Sequence, residues 1–97
     1  MSTPATPEEV AAALMSLPAW SVGDGWLTCT RTLDSFPAAL DWVRAVGRIA
    51  EEMNHHPDID IRWRTVTLRV RTHDAGDRIT GLDLELAARV EALGTDG

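Results

Sequence analysis

Glu51-Glu52-Met53-Asn54-His55-His56-Pro57-Asp58-Ile59-Asp60-Ile61-Arg62-Trp63 closes one kind of structure and opens another. Proline disfavours helical geometry in the residue before it, so a helix arriving from the left is expected to end at the histidine pair. To the right, Ile59, Ile61 and Trp63 alternate with polar residues, and Val66, Leu68 and Val70 do the same. Period-two alternation is the mark of a half-buried strand. The parity shifts from odd to even between Trp63 and Val66, which predicts a turn at Arg64-Thr65. That register pairs Trp63 with Val66, Ile61 with Leu68 and Ile59 with Val70. It sets Asp60 against Arg69 and Asp58 against Arg71, opposite-charge pairs of about 0.2–1 kcal/mol each. Arg62, Arg64, Arg69 and Arg71 then form an outward, salt-bridged sheet face, and Trp63 falls on the buried one.

Upstream, Thr6-Pro7-Glu8-Glu9 reads as a helix start, with Thr6 as N-cap, Pro7 in the first turn and Glu9 closing a capping box. Val10, Ala13, Leu14 and Leu17 follow at helical spacing, and Pro18 stops the run. Trp20–Val22 and Trp26–Thr32 form a hairpin through a three-residue Gly23-Asp24-Gly25 turn. A second helix starts near Ser35 and runs to about Met53, with Phe36, Leu40, Val43, Gly47, Ala50 and Met53 on one face. The last helix begins at Thr80, where Thr80-x-x-Asp83 is another capping box. It is expected to bury Leu82, Leu86, Val90 and Leu93 before stopping at Gly94. The order αββαββα predicts one α+β domain over residues 1–97, a four-stranded antiparallel sheet with helices packed on one face, and loose tails at 1–5 and 95–97.

The chain has 97 residues, enough for one core, and 44% hydrophobic with 25% charged residues is an ordinary globular balance. A formal net charge of −6 argues against nucleic-acid and anionic-membrane partners, which need a positive field. One cysteine, Cys29, permits no internal disulfide and reads as a small strand hydrophobe, so the cytoplasm is the expected compartment. No apolar run approaches membrane-spanning length, and the N-terminus lacks the positive region of a signal peptide.

All three histidines, His55, His56 and His73, lie within residues 51–83, among Glu51, Asp74 and Asp83. Imidazole is the side chain that exchanges protons near neutral pH, so the clustering points to acid/base chemistry. Glu51 lies one helical turn before His55 and is expected to orient that ring. Adjacent histidines project in different directions, which suits zinc ligation poorly. Asp83 carries a second reading, since a capping-box carboxylate needs no substrate.

The spacing Glu51-x-x-x-His55-His56-Pro57, then Trp63, His73 and Asp83, resembles the signature of the pterin-4a-carbinolamine dehydratases. Leu17-Pro18-Ala19-Trp20 is similar to the family's N-terminal tryptophan region, and Phe36 to Met53 to its central helix. The resemblance implies dehydration of a 4a-hydroxytetrahydropterin to quinonoid dihydropterin and water, in tetrahydrobiopterin recycling. It implies His55, His56 and His73 as catalytic groups, with His56 or His73 favoured at the leaving hydroxyl and His55 positioning or assisting. Glu51, Asn54, Pro57, Thr72, Asp74, Asp83 and Trp20 are the implied substrate-binding residues. No metal or other cofactor is implied, the pterin being the substrate, and a homodimer or homotetramer is expected. Two positions depart from the pattern of some members, Asn54 for aspartate and Ile59 for an aromatic. A non-catalytic role on the same fold, as a transcription-factor dimerisation cofactor or Rubisco assembly factor, is the alternative.

Overall fold

A computed structural model describes residues 3–94, so the expectations for residues 1–2 and 95–97 lie outside the described residues. Thr6 caps helix α1 (Pro7–Leu14), and the reciprocal bonds of its capping box with Glu9 are both made. Strands β1 (Trp20–Gly23) and β2 (Trp26–Thr32) follow, then helix α2 (Phe36–Met53), capped at its start by Ser35. Strands β3 (Asp58–Arg62) and β4 (Thr65–Val70) lead through a 3-10 turn at His73–Ala75 into helix α3 (Gly81–Leu93). The sheet is antiparallel throughout, in the order β1-β2-β4-β3. This is the expected α+β architecture.

One face of the sheet carries the core. Leu27 and Cys29 of β2 and Val66, Leu68 and Val70 of β4 are fully buried beneath Trp42 and Val46 of α2 and Leu86, Ala87 and Val90 of α3. Burying a side chain of this size contributes about 1.5–3 kcal/mol, so this layer dominates the stability. Trp42 also donates its indole N–H to the Gly94 carbonyl at 2.8 Å, tying α2 to the end of α3. Arg31, projecting from the same face of β2, reaches Glu91 of α3 at 2.9 Å.

Several expectations are corrected. The first hairpin turns on two residues, because Gly23 still pairs with Trp26 and both Asp24 (φ 54°) and Gly25 (φ 81°) are left-handed. Two positive φ values match the twist of the flanking strands, as a two-residue hairpin requires. The second hairpin turns at Trp63-Arg64 rather than Arg64-Thr65, and Ile59 pairs with Leu68, Ile61 with Val66 and Asp58 with Arg69. Here β2 decides the register: Thr65 must pair with Thr32, and the Leu33 N–H bonds the Arg64 carbonyl at 2.8 Å. Trp63 is left at φ 54° and 71% exposed, with Arg64 stacked 4.8 Å from its ring centre. It is not a core residue.

The buried faces of the long helices keep Ala50, Leu86 and Val90 as expected but are otherwise rotated. On α2 the buried positions are Ala39, Trp42, Ala45, Val46 and Ala50, while Phe36 and Leu40 remain exposed. Trp42 fixes this rotation, since the largest side chain of the helix takes the core. On α3 the buried set is Asp83, Leu86, Ala87 and Val90, and Leu82 is turned outward. Finally, Pro4 and Ala5 are not loose: Pro4 bridges Thr80, and the Ala5 N–H bonds the Ile79 carbonyl at 2.8 Å.

Candidate active site

Three chain segments meet where α2 ends, β3 begins and β4 runs out. Helix α2 stops because Asn54 adopts the left-handed conformation (φ 50°, ψ 44°), and the His55 N–H reaches back to the Ala50 carbonyl at 3.0 Å. Asparagine is one of the few residues with a side chain that tolerates this conformation, so its presence has a backbone reason. Pro57 then starts the extended run into β3, so the histidine pair occupies the bend between the two elements. On the far side, β4 leads through Thr72, paired with Arg78, into a tight loop that opens with His73.

These segments enclose a cleft of about 320 Å³ lined by Asn54, His55, His56, Arg71, Thr72, His73, Asp74 and Leu82. The three histidines therefore share one cleft. The other expected residues divide. Glu51 sits beside the cleft, Pro57 serves the bend, and Trp20 is buried in the core beneath the sheet and does not reach the site.

Each imidazole is held by a different carboxylate. His55 Nε2 lies 2.6 Å from Asp83 Oδ1, and Asp83 is fully buried. The other oxygen of Asp83 accepts the Thr80 N–H at 2.7 Å and the Thr72 hydroxyl at 2.8 Å, while Thr72 and Thr80 also bond each other at 2.7 Å. Asp83 thus closes the α3 capping box and grips His55 at once. The capping reading of this residue holds, whereas the expected substrate contact does not: Asp83 is fully buried and absent from the cleft lining, and the Thr72 hydroxyl is likewise engaged inward. With Asp83 accepting, His55 Nε2 carries a proton and Nδ1 is the atom left to accept one.

Glu51 bonds His56, not His55. The i, i+4 expectation fails because the helix has ended before His55. The Asn54 turn swings the chain, and the second histidine comes round to the carboxylate. This pair is exposed on both sides, so it orients His56 more than it stabilises the fold.

His73 is 92% exposed and opens the 3-10 turn rather than ending the strand. Its Nδ1 lies 2.8 Å from Asp77 Oδ1. The hydrogen bond to Asp77, and then that carboxylate's charge, raise the His73 pKa above the ordinary histidine value, while the same bond lowers that of Asp77. Asp77 was missed by the sequence reading, although His73-x-x-x-Asp77 has the spacing of a local ion pair. Among the described residues no group of three His, Cys, Asp or Glu side chains is arranged to hold a metal ion, and no helix is long and apolar enough to cross a membrane.

A second groove, of about 260 Å³, opens beside the cleft and shares His56, Arg71 and His73 with it. Its remaining lining is Trp26, Asp58, Arg69, Val70 and Asp77. The guanidinium carbons of Arg69 and Arg71 lie 4.2 and 3.9 Å from the centre of the Trp26 ring. The expected salt-bridged arginine face is thus only partly so: Arg62 pairs with Asp60 along β3 and Arg71 lies 3.9 Å from Asp77, but Arg69 and Arg71 also stack on an indole.

Comparison with known proteins points to one family. The sequence model of a family described as pterin 4 alpha carbinolamine dehydratase matches residues 3–93. A protein of Nocardia farcinica, carried under the provisional name pterin-4-alpha-carbinolamine dehydratase, is 46% identical over 86 residues, 89% of this chain and 90% of that one. A Streptomyces coelicolor protein of the same provisional name is 44% identical over 90 residues, 93% of this chain and 89% of its own. Among solved structures, a transcriptional coactivator/pterin dehydratase from Brucella melitensis superposes with a TM-score of 0.87 at 25% identity, covering 98% of this chain and all of that one. A pterin dehydratase-like protein identified as a RuBisCO assembly factor of the alpha-carboxysome shares the fold, with a TM-score of 0.65 at 22% identity over 81% of this chain and 93% of that one.

Proposed function

Because the chain belongs to the pterin-4a-carbinolamine dehydratase family, we propose that it dehydrates a 4a-hydroxytetrahydropterin to the quinonoid dihydropterin, as a cytoplasmic homo-oligomer serving tetrahydrobiopterin recycling. The observation that carries this reading is the convergence of three separately oriented imidazoles on one cleft.

The reaction must break the C4a–O bond and remove the proton on N5. Hydroxide leaves poorly unless it is protonated as it departs, and N5–H needs a base. His73, biased by Asp77 toward the imidazolium, is suited to give its Nε2 proton to the leaving hydroxyl, which departs as water with the C–O electron pair. His55, with Nε2–H donated to Asp83, is suited to take the N5 proton on Nδ1. The N–H pair then closes the new N5–C4a double bond. Neither transfer changes the oxidation level, and proton exchange with water resets both rings. His56, held by Glu51 between cleft and groove, is assigned to orienting the pterin.

A second reading, an interaction protein on this fold, draws on the descriptions of the two structural neighbours as coactivator and assembly factor. One assay separates the two. Purified protein mixed with a synthetic 4a-hydroxytetrahydropterin is expected to accelerate the absorbance change of dehydration well above the buffer rate. His55→Ala and His73→Ala should each slow turnover by roughly 10²-fold or more. A rate equal to that of buffer removes the enzymatic reading.

A further inference from the structure

We propose that Trp26, Arg69 and Arg71 form a subsite for an anionic substituent of the substrate, so that the preferred pterin carries a carboxylate or phosphate on its side chain. The inference rests on the dehydratase reading of the histidine cleft and names its substrate class. Trp26 and Arg71 sit opposite each other across the β2–β4 ladder, by extension of a register that sets Leu27 against Val70 and Thr28 against Arg69. Both residues, with Arg69, project from the open face of the sheet, away from the core.

Two cations on one indole repel each other unless something negative joins them. Asp77 is 3.9 Å from Arg71, too long for a hydrogen bond, and the carboxylate oxygen involved is already bonded to His73. Arg69 has no carboxylate within 4.0 Å among the described residues, although Asp58 faces it across β3–β4. The ring instead lies within 4.2 Å of both guanidinium carbons and limits their motion, so their N–H forks are organised before any anion arrives.

Position makes this a subsite rather than a surface ornament. The groove over Trp26 and the histidine cleft share His56, Arg71 and His73, so a bicyclic ring in the cleft directs a substituent toward the arginines. Elsewhere the chain repels anions, with a formal net charge of −6. A local cationic end is then the feature that selects an anionic substrate. Planar, bidentate recognition of carboxylate or phosphate is what paired guanidiniums do well.

The test is a ratio, read by binding and by turnover. Binding of pterin-6-carboxylate and of neutral 6-methylpterin is measured by calorimetry on the intact protein and on Arg69→Gln and Arg69→Lys. The unaltered protein is expected to favour the carboxylate by roughly tenfold, the preference shrinking as salt rises from 0.05 to 0.5 M (both approximate). Arg69→Gln should collapse the ratio toward one, and Arg69→Lys should retain part of it. Equal affinities in the unaltered protein, or a ratio indifferent to Arg69→Gln in a variant with unchanged circular dichroism, overturn the subsite. Turnover of the 4a-hydroxy forms of a carboxylate-bearing, a phosphate-bearing and a neutral tetrahydropterin then identifies which anion is selected. Turnover of all three at equal rates overturns the subsite while leaving the dehydratase. A carboxylate preference in binding without turnover of any substrate overturns the dehydratase and keeps the anion site.

Discussion

Asp83→Asn is the sharpest single perturbation, because it keeps the shape of the buried side chain and changes only what it can accept. Asp83 now receives three donors, from Thr80 N–H, the Thr72 hydroxyl and His55 Nε2. An amide has one oxygen. If that oxygen stays on Thr80 and Thr72, the NH2 group faces His55 Nε2, which must then present a lone pair. The proton moves to Nδ1, and that nitrogen, the one not facing Asp83, can no longer act as a base. The same logic explains why an asparagine in place of the triad aspartate of serine proteases leaves the geometry intact and costs about 10⁴ in turnover. For stability, each bond loses its charge assistance, roughly 1 kcal/mol. Against this, a neutral amide is easier to bury than a carboxylate. The net loss is about 1–3 kcal/mol, a fall in Tm of roughly 5–20 °C for a domain of this size. Thermal unfolding by circular dichroism, turnover at a temperature where the variant is folded, and ¹⁵N NMR of the imidazoles form the assay. The expected result is a folded protein, an inverted His55 tautomer and turnover down by roughly 10²-fold or more. Turnover within roughly threefold of the unaltered protein, with the tautomer inverted, would refute the assignment of His55 as base.

Three further outcomes are expected. Asp77→Asn removes the carboxylate charge and weakens the hydrogen bond that raise the His73 pKa, so the basic limb of the pH–rate profile should move to lower pH; an unmoved limb takes His73 out of the acid role. By linkage, a histidine whose folded pKa is raised contributes stability below its unfolded pKa. That contribution is lost as pH rises through the folded value, so Asp77→Asn should narrow the stability difference between acidic and neutral pH. At Asn54, φ 50° makes substitution by valine cost about 1–2 kcal/mol in urea unfolding, whereas glycine should be nearly neutral; equal effects would mean the left-handed cap does not govern this site. Trp63→Asn relieves a bulky residue at φ 54° and should raise the Tm by a few degrees. A clear fall would show that stacking with Arg64 outweighs the strain.

The helix starts were legible because their chemistry is local. Thr6 with Glu9 and Thr80 with Asp83 satisfy orphaned N–H groups within four residues, so nothing distant can revise them. The Glu51–His55 pairing failed for the opposite reason: it assumed a helix continuing past Met53, and a single left-handed residue redirects everything after it. The second hairpin shows both cases at once. The parity shift and charge pairing argued for a loop at Arg64-Thr65, but such charge pairs are worth tenths of a kcal/mol, and the ladder to β2 imposed a loop at Trp63-Arg64. Yet the histidine cleft survived the error. Moving a register by two residues preserves which side chains face the core, since the strand period is two. An antiparallel partner must also finish where its neighbour began. Strand β3 begins at the bend that holds His55 and His56, so β4 returns the chain to that bend whichever residues form the turn. His73, three residues past Val70, is delivered there by topology rather than by register, while the Trp26–Arg71 contact depends on a ladder that no local pattern specified.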